Sequence, residues 1–235
     1  MTLVSLQPAF VLHYRPYRDT SLLIDLFTLE HGRVGIVARG ARGPRSRIKG
    51  LMQPFVPLLV SWTGKTELLS LRNVEPNGES KYLSGQALLS GLYLNELLIR
   101  LLQRHDAYPN LFNVYAITLN SLQHPELHQQ ALRLFEKHFL NDLGYALQLR
   151  NDINSNATID PNQYYFYDPE RGPTLCLNRQ LFTKPNIFSG KSLLDLAENN
   201  FTDPGSLRDA KRLMRLAFAA LLGKKPLKSR ELFIV

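Results

Sequence analysis

Cysteine is almost missing from this sequence of 235 residues: Cys176 stands alone, which excludes an internal disulfide framework and any metal cage built from cysteines only. That scarcity suits a reducing compartment. No stretch approaches the ~20 apolar residues of a bilayer span, and the first residues show no basic leader followed by an apolar run and a small-residue cleavage site. The expectation is a cytoplasmic protein with no membrane segment. Catalytic signatures are equally sparse. No Gly-x-Ser-x-Gly turn offers a hydrolase nucleophile. Gly64-Lys65-Thr66 and Gly190-Lys191-Ser192 imitate the end of a phosphate-binding loop, but Leu59 and Pro185 stand where its first glycine is required. His124, Glu126 and His128 lack the His-Glu-x-x-His spacing of a zinc protease and read as solvated histidines on a helix face. Cys176, in an apolar run, reads as a small buried hydrophobe. No catalytic residue, metal ligand or cofactor is therefore expected.

Acidic residues are missing from one place in particular. Between His31 and Thr66 there is no Asp or Glu, while Arg33, Arg39, Arg42, Arg45, Arg47, Lys49 and Lys65 supply positive charge. The net charge of +8 is likewise uneven. Residues 1–80 carry ten Lys/Arg against six Asp/Glu, residues 81–203 ten against twelve, and residues 204–235 eight against two. An excess gathered at the two ends is the footprint expected for a polyanion, nucleic acid being the commonest.

The first ~75 residues alternate β-branched and apolar positions with Gly/Pro punctuation, which predicts strands at Ala9–Tyr14, Ser21–Thr28, Arg33–Arg39, Phe55–Trp62 and Lys65–Arg72. Five short strands suit a partly open OB-fold barrel, with an SH3-like barrel as the alternative. Gly40, Gly43 and Pro44 make the segment between the third and fourth strands a mobile basic loop, whose arginines could follow a phosphate backbone. Tyr14, Tyr17 or Trp62 could stack on bases, or fill the barrel.

From Ser84 the period becomes helical, and Leu88, Leu89, Leu92, Leu98 and Leu101 form an apolar stripe. Pro109 and Pro125 suit first-turn positions, and Gly144 closes a helix containing Leu132, Phe135 and Phe139. A small β insert is expected around residues 151–190, with Tyr164–Tyr167 and Leu175–Leu177 as its runs and a turn at Asp168–Gly172. Ser192/Asp195 and Ser206/Asp209 read as capping patterns opening two final helices, the second closed by Gly223. Arg208, Lys211, Arg212 and Arg215 share one face of that last helix and lead into Lys224, Lys225, Lys228 and Arg230, a second phosphate-facing candidate. The fold class is thus α+β in two domains: an amino-terminal barrel over 1–80 and a helical domain over 81–235.

The ordered set Ala9-Phe10-Val11-Leu12-His13, Val37-Ala38-Arg39-Gly40-Ala41-Arg42, Gln53-Pro54-Phe55, Ser90-Gly91-Leu92-Tyr93-Leu94-Asn95-Glu96-Leu97, Leu143-Gly144-Tyr145 and Ser206-Leu207-Arg208-Asp209-Ala210-Lys211-Arg212 strongly resembles the bacterial RecO recombination mediators. So does the closing Gly223-Lys224-Lys225-Pro226-Leu227-Lys228-Ser229-Arg230-Glu231-Leu232-Phe233. The likeness spans essentially the whole chain and is loosest over 151–190. It implies an OB-fold joined to a helical domain, binding of single- and double-stranded DNA, annealing of complementary strands, and loading of recombinase onto DNA coated by single-strand-binding protein in the RecF pathway of repair. It also implies RecR as a partner, recognition of the acidic, apolar tail of single-strand-binding protein with Arg133 as the candidate cation, a monomer when alone, and association with the nucleoid when bound to DNA. Many members hold zinc through four cysteines in the insert. This chain keeps Cys176 alone and so resembles the zinc-free branch, with the packing of Tyr164–Tyr167 in place of the metal. Two rival readings are an RNA-binding OB factor and a protein adaptor whose DNA binding is secondary.

Overall fold

The computed structural model describes residues 2–44, 46–65, 68–78 and 82–233, without the side chains of Thr2, Lys49, Arg179, Arg230 and Phe233. The chain divides into two compact units, one of Met1–His124 with Pro226–Val235, the other of Pro125–Lys225.

In the first unit β1 (Thr2–Tyr17), β2 (Ser21–Thr28), β3 (Gly32–Ala38), β4 (Pro57–Gly64) and β5 (Leu68–Pro76) close a barrel in the order β1-β2-β3-β5-β4. All neighbours are antiparallel except β3 and β5. All five expected strands are present. β1 is longer than its apolar run because it serves two partners: residues up to Phe10 pair with β4, and those from Ala9 onward pair with β2. Irregularities between Val4 and Gln7 and between Val11 and His13 bend it around the barrel. Alternate residues point inward, so that Val11, Leu26 and Val34 align across three strands, and Ile24 and Ile36 across two. Trp62 is buried in this core with its ring edge-on to His31, so it fills the barrel and is not a stacking surface. At the β2–β3 turn Gly32 sits at φ +60°, and a Cβ there would stand 1.7 Å from the Asp106 carbonyl oxygen. Only glycine fits that approach.

Secondary structure changes where the periodicity changes, between β5 and α2 (Gly85–Leu101), but compactness does not. α2 and α3 (Pro109–Ser121) pack on the outside of the barrel. Phe10 and Phe27, the outward residues of β1 and β2, meet Phe112 and Tyr115 at ring-centroid distances of 5.1–6.1 Å. The buried Asn95 donates to the Leu12 carbonyl at 2.9 Å and accepts from the Tyr115 hydroxyl at 2.5 Å. This joins α2, α3 and β1 through one amide, and burial pushes the Tyr115 hydroxyl strongly upward in pKa. The buried face of α2 is Ser90, Gly91, Tyr93, Leu94, Asn95, Leu97 and Leu98. Of the expected leucine stripe only Leu98 is fully buried, and Leu88 is exposed. The close approach of Phe55 to Gly91 explains the rotation, since a Cβ on Gly91 would come within 2.8 Å of that ring. The carboxyl terminus returns to this unit: the Glu96 carboxylate on α2 accepts from Lys228 N, Ser229 N and Ser229 Oγ at 2.7–2.9 Å. Burial opposes ionisation of Glu96, but these bonds and Arg100 outweigh it and hold its pKa low.

The second unit contains α4 (His128–Asp142), a three-stranded sheet ordered β7-β6-β8 from β6 (Tyr164–Asp168), β7 (Gly172–Leu175) and β8 (Ile187–Ser189), then α5 (Gly190–Glu198) and α6 (Pro204–Leu222). The sheet is the expected insert, with its turn after Asp168. Pro125 lies in the turn before α4 and not in its first turn. The helix caps sit one turn upstream of the expected ones. Ser189 accepts from Ser192 N to open α5, and Asp203 accepts from Ser206 N to open α6. Asp195 and Asp209 are used between the helices instead, Asp195 accepting from Ser206 Oγ and Asp209 from Ser192 Oγ at 2.8 Å. Gly223 follows α6 as expected.

Tyr165 and Tyr167 are buried in the insert, and Tyr164 stacks on Phe182 at 4.1 Å. A carboxylate carries much of the cross-linking. Buried Asp152 accepts from Asn154 N, Ser155 N, Ser155 Oγ and, across the insert, Leu175 N at 2.6 Å. Cys176 is buried and its thiol donates to the Asn178 carbonyl, so the residues present do not fit a four-cysteine zinc site. No helix among the described residues is long and apolar enough to cross a membrane.

Candidate nucleic-acid interface

The described residues of the basic segment between β3 and β4 are anchored on the barrel. Ala41 and Met52 are inserted into the barrel core, and Ile48 and Leu51 of a short helix, α1 (Ile48–Leu51), pack against it. The Arg42 amide donates to the Thr20 carbonyl at 2.8 Å, and successive turns close from Gly43 to Gly40 and from Ser46 to Gly43. With its apolar residues turned inward, the segment presents Arg39, Arg42 and Arg47 to solvent. The β1–β2 turn adds Arg18, exposed with its guanidinium over the Tyr17 ring, and Arg15 is exposed near the end of β1. The Arg42 guanidinium donates to the Arg18 carbonyl at 3.3 Å, so the turn and the segment share one surface. Sequence reasoning missed Arg15 and Arg18 as site residues, although the Tyr-Arg-Pro-Tyr-Arg run at 14–18 alternates rings and cations as such a surface does.

Beside Arg42 lies a cavity of about 560 Å³. Its buried lining is Leu22 and Met52; Pro16, Ser46, Gly50 and Gln53 complete it, and the exposed Tyr14 and Arg42 stand at its rim.

Arg33 does not join this surface. It begins β3 while Arg39 follows its end, so the two are separated by roughly 20 Å of strand at ~3.3 Å per residue. Arg33 is half-buried, bridged to Arg104 across the backbone, with Arg104 paired to Asp25 at 2.6 Å. Burial and the neighbouring Arg104 lower its pKa, against the pull of Asp25. Lys65 is exposed just past β4, opposite the start of β1. Arg45 and the side chains of Lys49 and Arg230 lie outside the described residues.

On α6, Arg208, Lys211 and Arg215 are exposed at the spacing of one face. Arg212 is taken by the fold: it donates to Asp209 at 3.0 Å and to the Ile187 carbonyl, and its guanidinium lies 4.7 Å over the Phe188 ring. Lys224 and Lys225 continue beyond the helix as exposed residues of the same unit, whereas Lys228 and Arg230 belong to the other one. Arg133 is no surface cation. It is 4% exposed on α4 and donates to the equally buried Glu136 at 2.8 Å. Burial lowers the pKa of the exposed-faced Lys211, and the charges of Arg215 and Arg133 lower it further, against Glu136. The histidine reading also changes: His124 lies in a turn and His128 is buried at the start of α4, where burial lowers its pKa. Among the described residues no group of three or more His, Cys, Asp or Glu side chains is placed to hold a metal ion. The Gly190-Lys191-Ser192 helix start is closed off, because a Cβ at Gly190 would stand 2.0 Å from the Asp160 carbonyl oxygen.

The sequence model described as Recombination protein O N terminal matches residues 1–78, and that described as Recombination protein O C terminal matches residues 83–231. The DNA repair protein RecO of Coxiella burnetii (strain RSA 331 / Henzerling II) is 51% identical over 229 residues, covering 97% of each chain. That of Nitrosococcus oceani is 48% identical, covering 97% of this chain and 92% of its own. That of Tolumonas auensis is 46% identical over 235 residues, covering 99% of this chain and 96% of its own.

Proposed function

This chain belongs to the RecO family of DNA repair and recombination proteins, and on that premise we propose that it is a non-enzymatic mediator that binds DNA, anneals complementary single strands and helps load recombinase onto DNA coated by single-strand-binding protein. The observation that carries this reading is the anchored segment between β3 and β4, which buries its apolar residues and leaves Arg39, Arg42 and Arg47 exposed, with Arg42 beside Arg18. Such a surface neutralises phosphates without converging carboxylates or a metal. The ridge of Arg208, Lys211 and Arg215, with Lys224 and Lys225, is a second binding surface. Two strands held on one molecule have their mutual repulsion screened, and bases then pair with no bond made by the protein.

The proposed partners are single- and double-stranded DNA, RecR, and the carboxyl-terminal tail of single-strand-binding protein. For that tail the cation at hand is the exposed Lys211, near enough to the buried Arg133–Glu136 pair to feel both of its charges. The test is annealing of complementary oligonucleotides coated by single-strand-binding protein, without nucleotide. The wild type is expected to accelerate annealing, and a folded Arg39→Ala/Arg42→Ala/Arg47→Ala variant to lose most of that acceleration. Binding without annealing would overturn the mediator reading in favour of an adaptor. Tighter binding to RNA than to DNA of equal sequence would favour an RNA factor.

A further inference from the structure

The cavity beside Arg42 has a composition that phosphate binding does not explain. A surface that only follows a backbone needs cations; this one also holds open a space of about 560 Å³ against the buried side chains of Leu22 and Met52. Tyr14, 44% exposed, leaves a large part of its aromatic surface in solvent at the rim, and it is held in place by the pairing of β1 with β2 at Ile24. Ser46 and Gln53 place polar groups in the lining. Gly50 contributes none: a Cβ there would meet nothing within 4 Å, so the space in front of it is open. An apolar floor, an aromatic ring, a few hydrogen-bonding groups and a cationic rim are what a nucleobase on a polyanionic strand requires.

We infer that this cavity takes a single unstacked base of single-stranded DNA against Tyr14, while Arg39, Arg42 and Arg47 hold the flanking phosphates. This rests on the DNA-binding reading above and adds a strand preference to it. Every base has a π-face, so the site tolerates any sequence. A paired base in a duplex has both faces stacked and cannot enter without being extruded, at a cost of a few kcal/mol. The barrel surface therefore favours single strands, and it releases its base when a complementary strand pairs with it.

The experiment compares binding of the full chain to an oligothymidylate and to a fully abasic strand with the same number of phosphates. Stacking on one aromatic ring gives an expected preference for the base-bearing strand of about five- to 150-fold. Tyr14→Ala should abolish that preference and Tyr14→Phe should keep it. Gly50→Leu, which narrows the cavity from its lining while leaving Tyr14 intact, should abolish it too. Affinity for the abasic strand and for blunt duplex should stay unchanged in all three variants. Equal, tight binding of both strands by the wild type would overturn the proposal and leave phosphate binding standing. A preference that survives either Tyr14→Ala or Gly50→Leu would place the base elsewhere and overturn it as well. Failure to bind either strand would bring down the DNA-binding reading along with it.

Discussion

The salt dependence of DNA binding distinguishes arginines that face a strand from arginines that merely lie in the same stretch of sequence. Each phosphate neutralised on a single strand contributes about −0.7 to the slope of log K against log salt. Arg39, Arg42 and Arg47 are exposed, and Arg42 donates to the Arg18 carbonyl at 3.3 Å. Replacing all three by alanine should therefore shallow the slope by about 2, so that a rise from 50 to 200 mM salt costs the variant roughly twentyfold less affinity than it costs the wild type. Arg33→Gln, by contrast, removes a half-buried guanidinium that sits among Arg104 and Asp25 at the other end of β3, and should change the slope by less than about 0.3. The assay is fluorescence anisotropy of a labelled oligothymidylate across a sodium chloride series, with thermal melts to show that both variants fold. An unchanged slope in the triple variant, or an Arg33→Gln effect as large per residue, would refute the assignment of the surface.

Two further predictions concern the framework of each unit. Asp152→Asn deprives the insert of a carboxylate accepting four hydrogen bonds and should destabilise the second unit by about 1–3 kcal/mol in chemical denaturation. Burial works against ionisation of Asp152, but the bonds from Ser155, Leu175 and Asn154 prevail and hold its pKa below the ordinary value. Its contribution is therefore complete above about pH 4 and is lost as pH falls through the lowered value, so acid melts of the wild type should steepen there and those of Asp152→Asn should not. Tyr115→Phe leaves the buried Asn95 oxygen without the hydroxyl it accepts from, and should cost about 1–2 kcal/mol while leaving DNA affinity unchanged; a neutral result would mean that the amide does not join α2 and α3 to the barrel.

Much of the fold was legible along the chain. The five barrel strands announce themselves by alternation and by Gly/Pro punctuation, since one face of each meets a common core. The helices and the insert were equally readable, and the scarcity of cysteine already argued against zinc there. Faces were harder. The stripe of Leu88, Leu89, Leu92 and Leu101 is not the packed face of α2, which buries Tyr93, Leu94, Leu97 and Leu98 together with Ser90, Gly91 and Asn95, where Gly91 admits Phe55 and Asn95 captures a β1 carbonyl. Arg133 was legible as a cation but not as a buried one; its position three residues before Glu136 was the available clue. The caps of α5 and α6 were misplaced by one turn because Ser and Asp recur at the same spacing, and only the backbone decides which pair faces a free amide.

The sequence by itself determined the order of elements, the family, and the concentration of positive charge between β3 and β4 and towards the carboxyl end, because periodicity and net charge are properties of neighbours along a chain. Only the tertiary structure decided which cations remain for a ligand. In the first unit Arg33 and Arg39 stand at opposite ends of a strand and Arg18 of the β1–β2 turn comes beside Arg42; in the second, Arg212 packs onto Phe188 and Arg133 is buried against Glu136. A side chain's exposure depends on residues distant in sequence that share its surroundings, and local composition carries no record of them.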